Sequence, residues 1–374
     1  MLVITNIPNP YRVPLFNELS QQLGEKSHKL KVVFAAKGYP RRFFKLNEAE
    51  FEFEYEYLNA APRQIGNSES YRFSYSGSLR VIKKEKPDFV IVTGFTMATA
   101  NALWAGKFGE HKTLIWSGTT QAAHGKFALM KKLWRKVLGN FAAGFICYGS
   151  HARRHLVEYL GLSPHKMHIS FNTVDTSFFD ERTLELRLGI PNRGDRVKQL
   201  TSISYLTERK DQGALVQLVA RLKEKRSDFV LNIIGDGDQR KTLQKMIDDA
   251  GLQEHVMLLG HKQKEELPTY LAETDVFLFH TKYDIWGLVL NEAMAAGLPC
   301  LSSINAGSSY DLIKEGENGY VVDFNDQKGV VPTLEKLLDD PSLRKKVGNK
   351  ARETVRQQFN LRASASSIVK ALGI

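Results

Sequence analysis

The sequence predicts an α/β protein of two domains, each built on a parallel sheet. Its 374 residues exceed the length that one hydrophobic core usually organises. Short β-branched runs alternate with helical stretches rich in Lys and Glu, and this alternation is typical of a parallel sheet. The pattern starts again after about residue 195, so we expect a second parallel sheet.

Eleven apolar runs predict the strands of these two sheets. Those of the first sheet are LVITNI (2–7), KVVFAA (31–36), DFVIVTG (88–94), KTLIWSG (112–118) and AGFICYG (143–149). Those of the second are LTSISYL (200–206), FVLNIIGDG (229–237), HVMLLG (255–260), DVFLFHT (275–281), LPCLSS (298–303) and GYVVDF (319–324). The run FEFEYEYL (51–58) alternates as an edge strand does.

Two further segments organise the chain. FNTVDTSFFDE (171–181) interrupts the pattern with small and polar residues, so we place the hinge between the domains there. The stretch from about 340 to 374 is helical by its apolar spacing.

Composition and charge place the chain among ordinary globular proteins, with 43% hydrophobic and 25% charged residues. The formal net charge is +11. The first 175 residues hold 24 Lys and Arg against 13 Asp and Glu, so the whole excess lies there. This asymmetry suggests that the first half faces an anion, such as membrane lipid, a phosphorylated acceptor or nucleic acid.

The cysteines and the amino terminus bear on the compartment. Cys147 and Cys300 follow apolar runs and lack metal-ligand spacing, so we expect reduced, inert thiols. The amino terminus has no basic segment before its first apolar run, and no stretch of about 18 apolar residues occurs. We therefore expect a cytoplasmic protein that does not span a membrane.

The segment HTKYDIWGLVLNEAMAAGLPCLSS (280–303) carries the clearest chemical signal. A strand leads through a turn into a helix near Gly287, and amides at a helix start suit anionic or hydroxyl-rich ligands. Asp284 precedes the turn and Glu292 lies eight positions later, so the two carboxylates could hold hydroxyls at two points of one extended ligand. On spacing alone, a surface Asp with a helix-capping arrangement is the other interpretation.

This segment resembles the signature of family 4 retaining glycosyltransferases of the GT-B fold. In that signature two glutamates, separated by seven residues, lie around a Gly-containing loop and precede A-M-A-x-G-x-P. The resemblance covers nearly all of residues 171–325 and, more loosely, the first half. Further matches are SYLTERKDQG (204–213) to G-R-L-x-x-x-K-G, LNIIGDGDQRKTLQ (231–244) to L-x-I-x-G-D-G, FNTVDTSFF (171–179) to the N-G-V-D hinge, and IPNPYRVPLFNEL (7–19) to the acceptor-domain loop of many bacterial members.

The resemblance implies two Rossmann-like domains that face each other across a cleft. It implies an acceptor-binding domain at residues 1–173 and a nucleotide-sugar-binding domain at residues 174–357. The C-terminal helix, at about residues 358–374, is expected to pack back on the first domain.

The resemblance also implies roles for individual residues. Lys210 matches the lysine that neutralises the donor diphosphate, a role that suits a flexible ammonium, so no metal is required. Glu292 matches the residue that accepts hydrogen bonds from the ribose hydroxyls, and Asp284 the one near the transferred sugar. Residues 260–264 are our choice for the loop that contacts the base. The other residues expected at the donor are Ser204, Tyr205, Gly235, His261, Ile285, Trp286, Gly287, Leu288 and Val289, and those expected at the acceptor are Asn9, Tyr11 and Arg12.

Three positions depart from the family pattern. Tyr205 stands where an arginine usually joins Lys210 at the diphosphate, so Ser204, Arg209 or another basic residue would have to take that part. Asp284 replaces the usual glutamate and shortens the reach by one methylene. Residues 117–119 read Ser-Gly-Thr where a donor-contacting histidine is expected, and His124 could substitute for it.

The implied activity is that of a hexosyltransferase that retains anomeric configuration in cell-surface polysaccharide synthesis. Its donor is a nucleotide-diphosphate sugar, its acceptor a glycan or a lipid-linked molecule, and it needs no cofactor. Asp284, Lys210 and His124 are the expected catalytic residues, with the leaving diphosphate helping to deprotonate the acceptor. The alternatives are a non-catalytic nucleotide-sugar-binding relative and a nucleotide-sugar epimerase on the same fold. The sequence contains no recognisable nucleic-acid-binding motif, so we do not expect a nucleic-acid partner.

HGKFALMKKLWRKVLGNF (124–141) predicts a basic amphipathic helix. One interpretation is attachment to anionic lipid at the inner face of the cytoplasmic membrane, with RRFFK (41–45) as a second contact. The other is a helix that packs its apolar stripe inward and solvates its basic face. The sequence favours neither.

Overall fold

The computed structural model describes residues 1–39, 46–65, 71–109, 111–120, 127–190 and 197–374. It divides into two units, one formed by Met1–Val174 with Leu361–Ile374 and the other by Asp175–Asn360. Each unit contains one parallel sheet, so the predicted α/β fold is confirmed.

The sheet of the first unit has seven strands in the order β3-β2-β1-β6-β7-β8-β9, all parallel. These strands are β1 (Leu2–Thr5), β2 (Lys31–Phe34), β3 (Glu54–Tyr57), β6 (Phe89–Thr93), β7 (Lys112–Ser117), β8 (Gly144–Cys147) and β9 (Met167–Ile169). Strands β4 (Arg63–Gln64) and β5 (Tyr71–Arg72) form a separate antiparallel pair. The helices are α1 (Val13–Gly24), α2 (Ser78–Glu85), α3 (Met97–Phe108), α4 (Ala128–Phe141) and α5 (Ser150–Arg154).

The sheet of the second unit has six parallel strands in the order β12-β11-β10-β13-β14-β15. They are β10 (Lys198–Ile203), β11 (Phe229–Ile234), β12 (Val256–Gly260), β13 (Val276–Phe279), β14 (Cys300–Ser303) and β15 (Tyr320–Val322). The helices are α6 (Thr176–Leu188), α7 (Gly213–Lys223), α8 (Arg240–Asp249), α9 (Leu267–Glu273), α10 (Leu288–Ala295), α11 (Ser309–Leu312), α12 (Gln327–Asp339) and α13 (Pro341–Gln358), and α14 (Leu361–Leu372) follows in the first unit.

Burial explains why the strands read as continuous apolar runs. Every residue of β1, β8, β13 and β14 is buried, as expected when helices cover both faces of a parallel sheet. The edge strand β3 is partly exposed, and its sequence alternates glutamate with tyrosine instead.

The strand order fixes where each unit can bind a ligand. In both sheets the order reverses beside the first strand, which lies between its second strand and its fourth, as in the Rossmann fold. The reversal falls between β1 and β6 in the first unit and between β10 and β13 in the second. Ligands of such sheets bind outside the carboxyl ends of these strands.

Helix α14 belongs to the core of the first unit although it comes last in the chain. Its apolar residues join the cluster that contains the buried side of α1, and the Ser364 and Ser170 hydroxyls lie 2.9 Å apart. The first unit is therefore built from two segments separated by 186 residues of the second unit, Asp175–Asn360.

Helix α4 exposes its apolar side. Only Leu138 and Gly139 of the helix are buried. The exposed apolar residues in and next to it are Phe127, Leu129, Met130, Leu133, Trp134, Val137 and Phe141. The interpretation in which this stripe packs inward is therefore wrong for the described part, and RRFFK (41–45) lies outside the described residues.

Among the described helices, none combines the length and the apolar character that crossing a bilayer requires.

Candidate functional site

Two loops meet at the reversal point of the second sheet. One follows β10 and spans residues 204–212, and the other follows β13 and spans residues 280–287. The Arg209 carbonyl accepts hydrogen bonds from the Lys282 amide, at 2.9 Å, and from the Thr281 hydroxyl, at 3.2 Å. These bonds tie the loops together and bring Lys210 beside Asp284.

Lys210 and Asp284 form a buried ion pair. The Lys210 ammonium, 7% exposed, donates to Asp284 Oδ2, and Asp284 Oδ1 accepts the Trp286 amide at 3.2 Å. Arg209 lies 3.7 Å from Asp284 Oδ2 and donates to the Tyr283 carbonyl at 2.8 Å. Burial alone would raise the pKa of Asp284, but Lys210 and Arg209 outweigh it and hold this pKa below its usual value. The carboxylate is therefore ionised at neutral pH.

The start of α10 presents backbone donors next to this pair. Gly287 caps the helix at φ +97°, and a Cβ there would overlap the buried ring of Phe279, so only glycine fits. No described acceptor bonds the amides of Leu288 and Val289. The Trp286 amide already donates to Asp284. The backbone amides of Leu288 and Val289 therefore remain as donors for an anion or a hydroxyl.

Glu292 projects from α10 without a hydrogen-bond partner among the described residues and is half-buried. Burial raises the pKa of Glu292 to about 7, and Lys264 opposes that rise. The Lys264 ammonium itself lies 4.5 Å from the ring centre of Phe178. A half-buried carboxylate without a hydrogen-bond donor suits a ligand whose own hydroxyl groups donate to it.

We expect Glu292→Gln to stabilise the unliganded protein at pH 8 by about 2 to 3 kcal/mol and to have little effect near pH 4.5. The folded-state pKa is raised, so the unfolded chain ionises first, from about pH 4.3, and the free energy of unfolding falls until about pH 7. Urea unfolding at both pH values measures this difference. Glu254→Gln, at an exposed position, is the control, and equal effects of the two variants would contradict the burial argument.

Gly235, a predicted donor residue, holds the Lys210 loop in place. The Ser204 amide donates to the Ile234 carbonyl at 2.9 Å, and the Leu206 amide to the Asp236 carbonyl at 3.0 Å. A Cβ on Gly235, whose φ is +143°, would overlap the Ser204 carbonyl, and one on Gly237 would overlap that of Leu206. Both glycines of the G-D-G run are explained by this close backbone approach.

The remaining predicted donor residues are distributed around these loops. Ser204 and Tyr205 are half-buried at the start of the Lys210 loop, with the Ser204 hydroxyl donating to the Tyr205 carbonyl at 3.2 Å. His261 is exposed in the loop after β12, and Ile285 is exposed beside Asp284. His124 lies outside the described residues. No described group of three or more His, Cys, Asp or Glu could hold a metal ion.

The predicted acceptor residues lie in the first unit, in the loop after β1. Asn9 and Arg12 are buried, each 6% exposed, and the Arg12 amide donates to the Asn9 carbonyl at 2.8 Å. Tyr11 lies with its ring centre 5.5 Å from the Arg12 guanidinium carbon. This is the reversal point of the first sheet.

Sequence reasoning placed Lys264 in the loop expected at the base but not near Glu292, and it did not select Tyr148 in the first unit. A Cβ on Gly118, in the stretch where a donor-contacting histidine was expected, would overlap the ring of Tyr148. Tyr148 follows β8 and is distant in sequence, so only the folded structure relates the two positions.

Two family models match this chain. The one for glycosyl transferases group 1 matches residues 190–354, and the one for glycosyltransferase family 4 matches residues 15–178.

Known proteins resemble the chain over different spans. The lipopolysaccharide core biosynthesis glycosyltransferase LpsE of Rhizobium meliloti is 30% identical over 46% of this chain and 48% of its own length. The N-acetyl-alpha-D-glucosaminyl L-malate synthase of Bacillus anthracis is 24% identical over 91% of this chain and 88% of its own. The crystal structure of HepE from Anabaena in complex with UDP superposes with a TM-score of 0.76 at 16% identity, covering 100% of both chains. This structural likeness shows the fold.

Proposed function

Because this chain belongs to the family 4 glycosyltransferases of the GT-B fold, we propose that it transfers a sugar in cell-surface polysaccharide synthesis. The donor is a nucleotide-diphosphate sugar and the acceptor a glycan or lipid-linked molecule. The observation that carries this proposal is the Lys210–Asp284 ion pair at the reversal point of the second sheet, together with the unbonded carboxylate of Glu292 on α10.

We assign the donor to the second unit. Lys210 and the amides of Leu288 and Val289 meet the diphosphate, and Glu292 accepts the ribose hydroxyls. Arg209 supplies the second positive charge in place of the arginine that Tyr205 replaces, because it already lies 3.7 Å from Asp284 Oδ2. Asp284 holds Lys210 while the site is empty and is then available to the transferred sugar.

The reaction needs charge stabilisation rather than a protein nucleophile. The bond between the anomeric carbon and the diphosphate oxygen breaks, and the acceptor oxygen bonds to that carbon on the same face. The acceptor proton passes to the leaving diphosphate. Lys210 and Arg209 stabilise the negative charge that develops on the diphosphate, which is the part a divalent cation has in metal-dependent enzymes.

Calorimetric titration with UDP, GDP, ADP and TDP sugars in excess EDTA tests the donor assignment. We expect one of them to bind the native protein and Glu254→Ala alike, and to bind Glu292→Ala at least about tenfold more weakly, since charged hydrogen bonds contribute roughly 1.5 to 3 kcal/mol. Binding that requires added metal, or equal binding by Glu292→Ala, would count against the proposal.

Product analysis separates the enzyme from a non-catalytic relative. With the bound donor and a membrane extract as acceptor source, we expect a glycosylated product whose anomeric proton in NMR has the donor's configuration. Inversion would exclude the retaining reaction, and binding without any product would favour the non-catalytic relative.

We assign the acceptor to the first unit and propose that α4 brings it to an anionic membrane surface from the cytoplasmic side. Helix α4 has four cationic and no acidic residues, Lys131, Lys132, Arg135 and Lys136. Its exposed apolar residues can enter the headgroup region while the exposed Lys131 and Lys136 meet anionic lipid. Charge complementarity thus favours lipid over another protein as the occupant of this surface.

Leu133→Glu is expected to weaken binding to phosphatidylglycerol vesicles by about tenfold or more. The substitution removes apolar area that the membrane would bury and adds a negative charge that the anionic lipid repels. Vesicle sedimentation measures this, with Leu188→Glu as the control because Leu188 is an exposed leucine of α6 in the second unit. The native protein is expected to bind phosphatidylcholine vesicles weakly. Unchanged binding of Leu133→Glu would exclude α4 as the contact.

A further inference from the structure

We propose that Arg12 forms a preformed oxyanion site at the reversal point of the first sheet, which recognises an anionic group of the acceptor. The identity of the ligand as an acceptor rests on the proposed function, whereas oxyanion binding at Arg12 does not. Arg12 is the residue before α1, and its side chain is 6% exposed.

Three aromatic rings surround the Arg12 guanidinium. Its carbon lies 4.0 Å from the ring centre of Trp116, 4.9 Å from that of Tyr148 and 5.5 Å from that of Tyr11. Trp116 is the penultimate residue of β7, and Tyr148 directly follows β8. The guanidinium therefore lies at the carboxyl edge of the sheet, where open α/β sheets bind ligands.

The polar atoms around Arg12 are buried and lack partners. Neither terminal nitrogen of Arg12 has a hydrogen-bond partner among the described residues, and neither has the Trp116 indole nitrogen. The side-chain oxygens of Asn9 and Asn172 are buried and unbonded in the same way. Asn172 adjoins Tyr148, because the backbone N–H of Asn172 donates to the Tyr148 carbonyl at 3.0 Å.

This arrangement is unfavourable without a ligand. No described carboxylate forms an ion pair with Arg12 within 4.0 Å, and burying an uncompensated charge with free donors is costly. Contacts with aromatic faces return only about 0.5 to 2 kcal/mol each. A bound anion would remove the imbalance, and this is the physical reason to infer a ligand rather than a purely structural arginine.

The donors define the chemistry of the ligand. The two terminal nitrogens of an arginine form a planar fork that matches two oxygens of a phosphate or a carboxylate. The indole N–H of Trp116, whose ring lies against the guanidinium, adds a third donor. An acceptor phosphate and the carboxylate of an acidic sugar are the two sources of such an oxyanion.

Gly118 is part of the same construction. Because a Cβ at position 118 would overlap the Tyr148 ring, the glycine allows this ring to lie over the guanidinium. Trp116 and Tyr148 also pack edge to face, with ring centres 6.2 Å apart. The rings hold the guanidinium in one orientation before the ligand arrives, which lowers the entropic cost of binding.

Calorimetry with inorganic phosphate and with glucuronate, at constant ionic strength, tests the proposal on the full chain. Because the donor site can also take phosphate, each substitution is made in the native chain and in Lys210→Gln. We expect Arg12→Gln to weaken oxyanion binding at least about tenfold in both backgrounds, with the control Arg80→Gln unchanged. Preference for phosphate identifies a phosphorylated acceptor, and preference for glucuronate an acidic glycan.

Equal anion affinity of Arg12→Gln and the native chain, or no binding by either, overturns the proposal. If Arg12→Gln does not fold, Arg12→Lys keeps the charge without the fork and is expected to bind several-fold more weakly. Equal binding by Arg12→Lys would likewise overturn recognition by the guanidinium. UDP-sugar binding measured on the same samples reports the donor assignment separately, so the failure of either idea can be recognised on its own.

Discussion

Lys210→Ala is expected to lower kcat/KM for sugar transfer by about 10²- to 10³-fold, the loss that follows removal of one donor from a charge-stabilising site. The Lys210 ammonium is buried and already placed at the mouth of α10, so its attraction to a leaving diphosphate is weakly screened by water. Arg209 remains in the variant, and a residual rate is therefore expected. Initial rates with the donor found by calorimetry measure the effect.

Loss of Lys210 also leaves Asp284 buried without its partner, which typically destabilises a protein by about 3 to 5 kcal/mol. Lys210→Ala with Asp284→Asn removes both charges and is expected to regain stability but not activity. Lys245→Ala, at an exposed position of α8, is the control for a lost lysine. If Lys210→Ala kept activity within about threefold of the native enzyme, the diphosphate assignment would be wrong.

The Lys210–Asp284 pair also makes the free energy of unfolding depend on pH. The pKa of Asp284 is lowered in the folded state, so its contribution is present above the unfolded-state value of about 3.9 and is lost as pH falls through the lowered pKa. The pair therefore contributes fully at neutral pH.

Gly235→Ala is expected to destabilise the second unit by about 3 kcal/mol or more. The new Cβ would overlap the Ser204 carbonyl oxygen, and a backbone atom cannot give way as a flexible side chain can. The φ of +143° adds strain for any residue other than glycine. Urea unfolding followed by tryptophan fluorescence measures this, because Trp286 is the one tryptophan of the second unit's sequence.

Gly251→Ala separates strain from overlap. Gly251 also has a positive φ, +61°, but a Cβ there meets nothing within 4 Å, so only the strain of about 1 to 2 kcal/mol is expected. Equal losses in the two variants would show that backbone strain, and not contact with Ser204, decides the effect. Donor binding by Gly235→Ala is also expected to fall, since the loop displaced by the overlap carries Lys210.

The alternation of apolar runs was enough to predict the sheets, because strands buried on both faces must be continuously apolar. Each of the eleven runs overlaps a strand. Strand β9 was not predicted, since its three residues, Met167–Ile169, are too few to form a pattern and are only half-buried. The order of strands within each sheet also depends on crossover connections that local sequence does not reveal.

The residues of the candidate site could be selected from the sequence, but their contacts could not. Asp284 and Glu292 could be selected from a strand, a glycine turn and a helix in succession. Their different surroundings could not: Asp284 is paired with Lys210, 74 positions earlier, whereas Glu292 is unbonded. Such pairings depend on loop conformations, including the positive φ of Asp211 next to Lys210, which sequence spacing does not determine.

Helix α14 makes the order of synthesis matter. The ribosome releases the residues of β1 to β9 first, but the apolar surface that receives Ala365, Ile368, Val369 and Leu372 is covered only after the second unit and α14 have also emerged. The second unit, Asp175–Asn360, is complete before that moment. Part of the core of the nascent first unit therefore stays exposed until α14 packs against it. A chain that ends before Leu361 would keep this surface exposed and would be prone to aggregation and proteolysis.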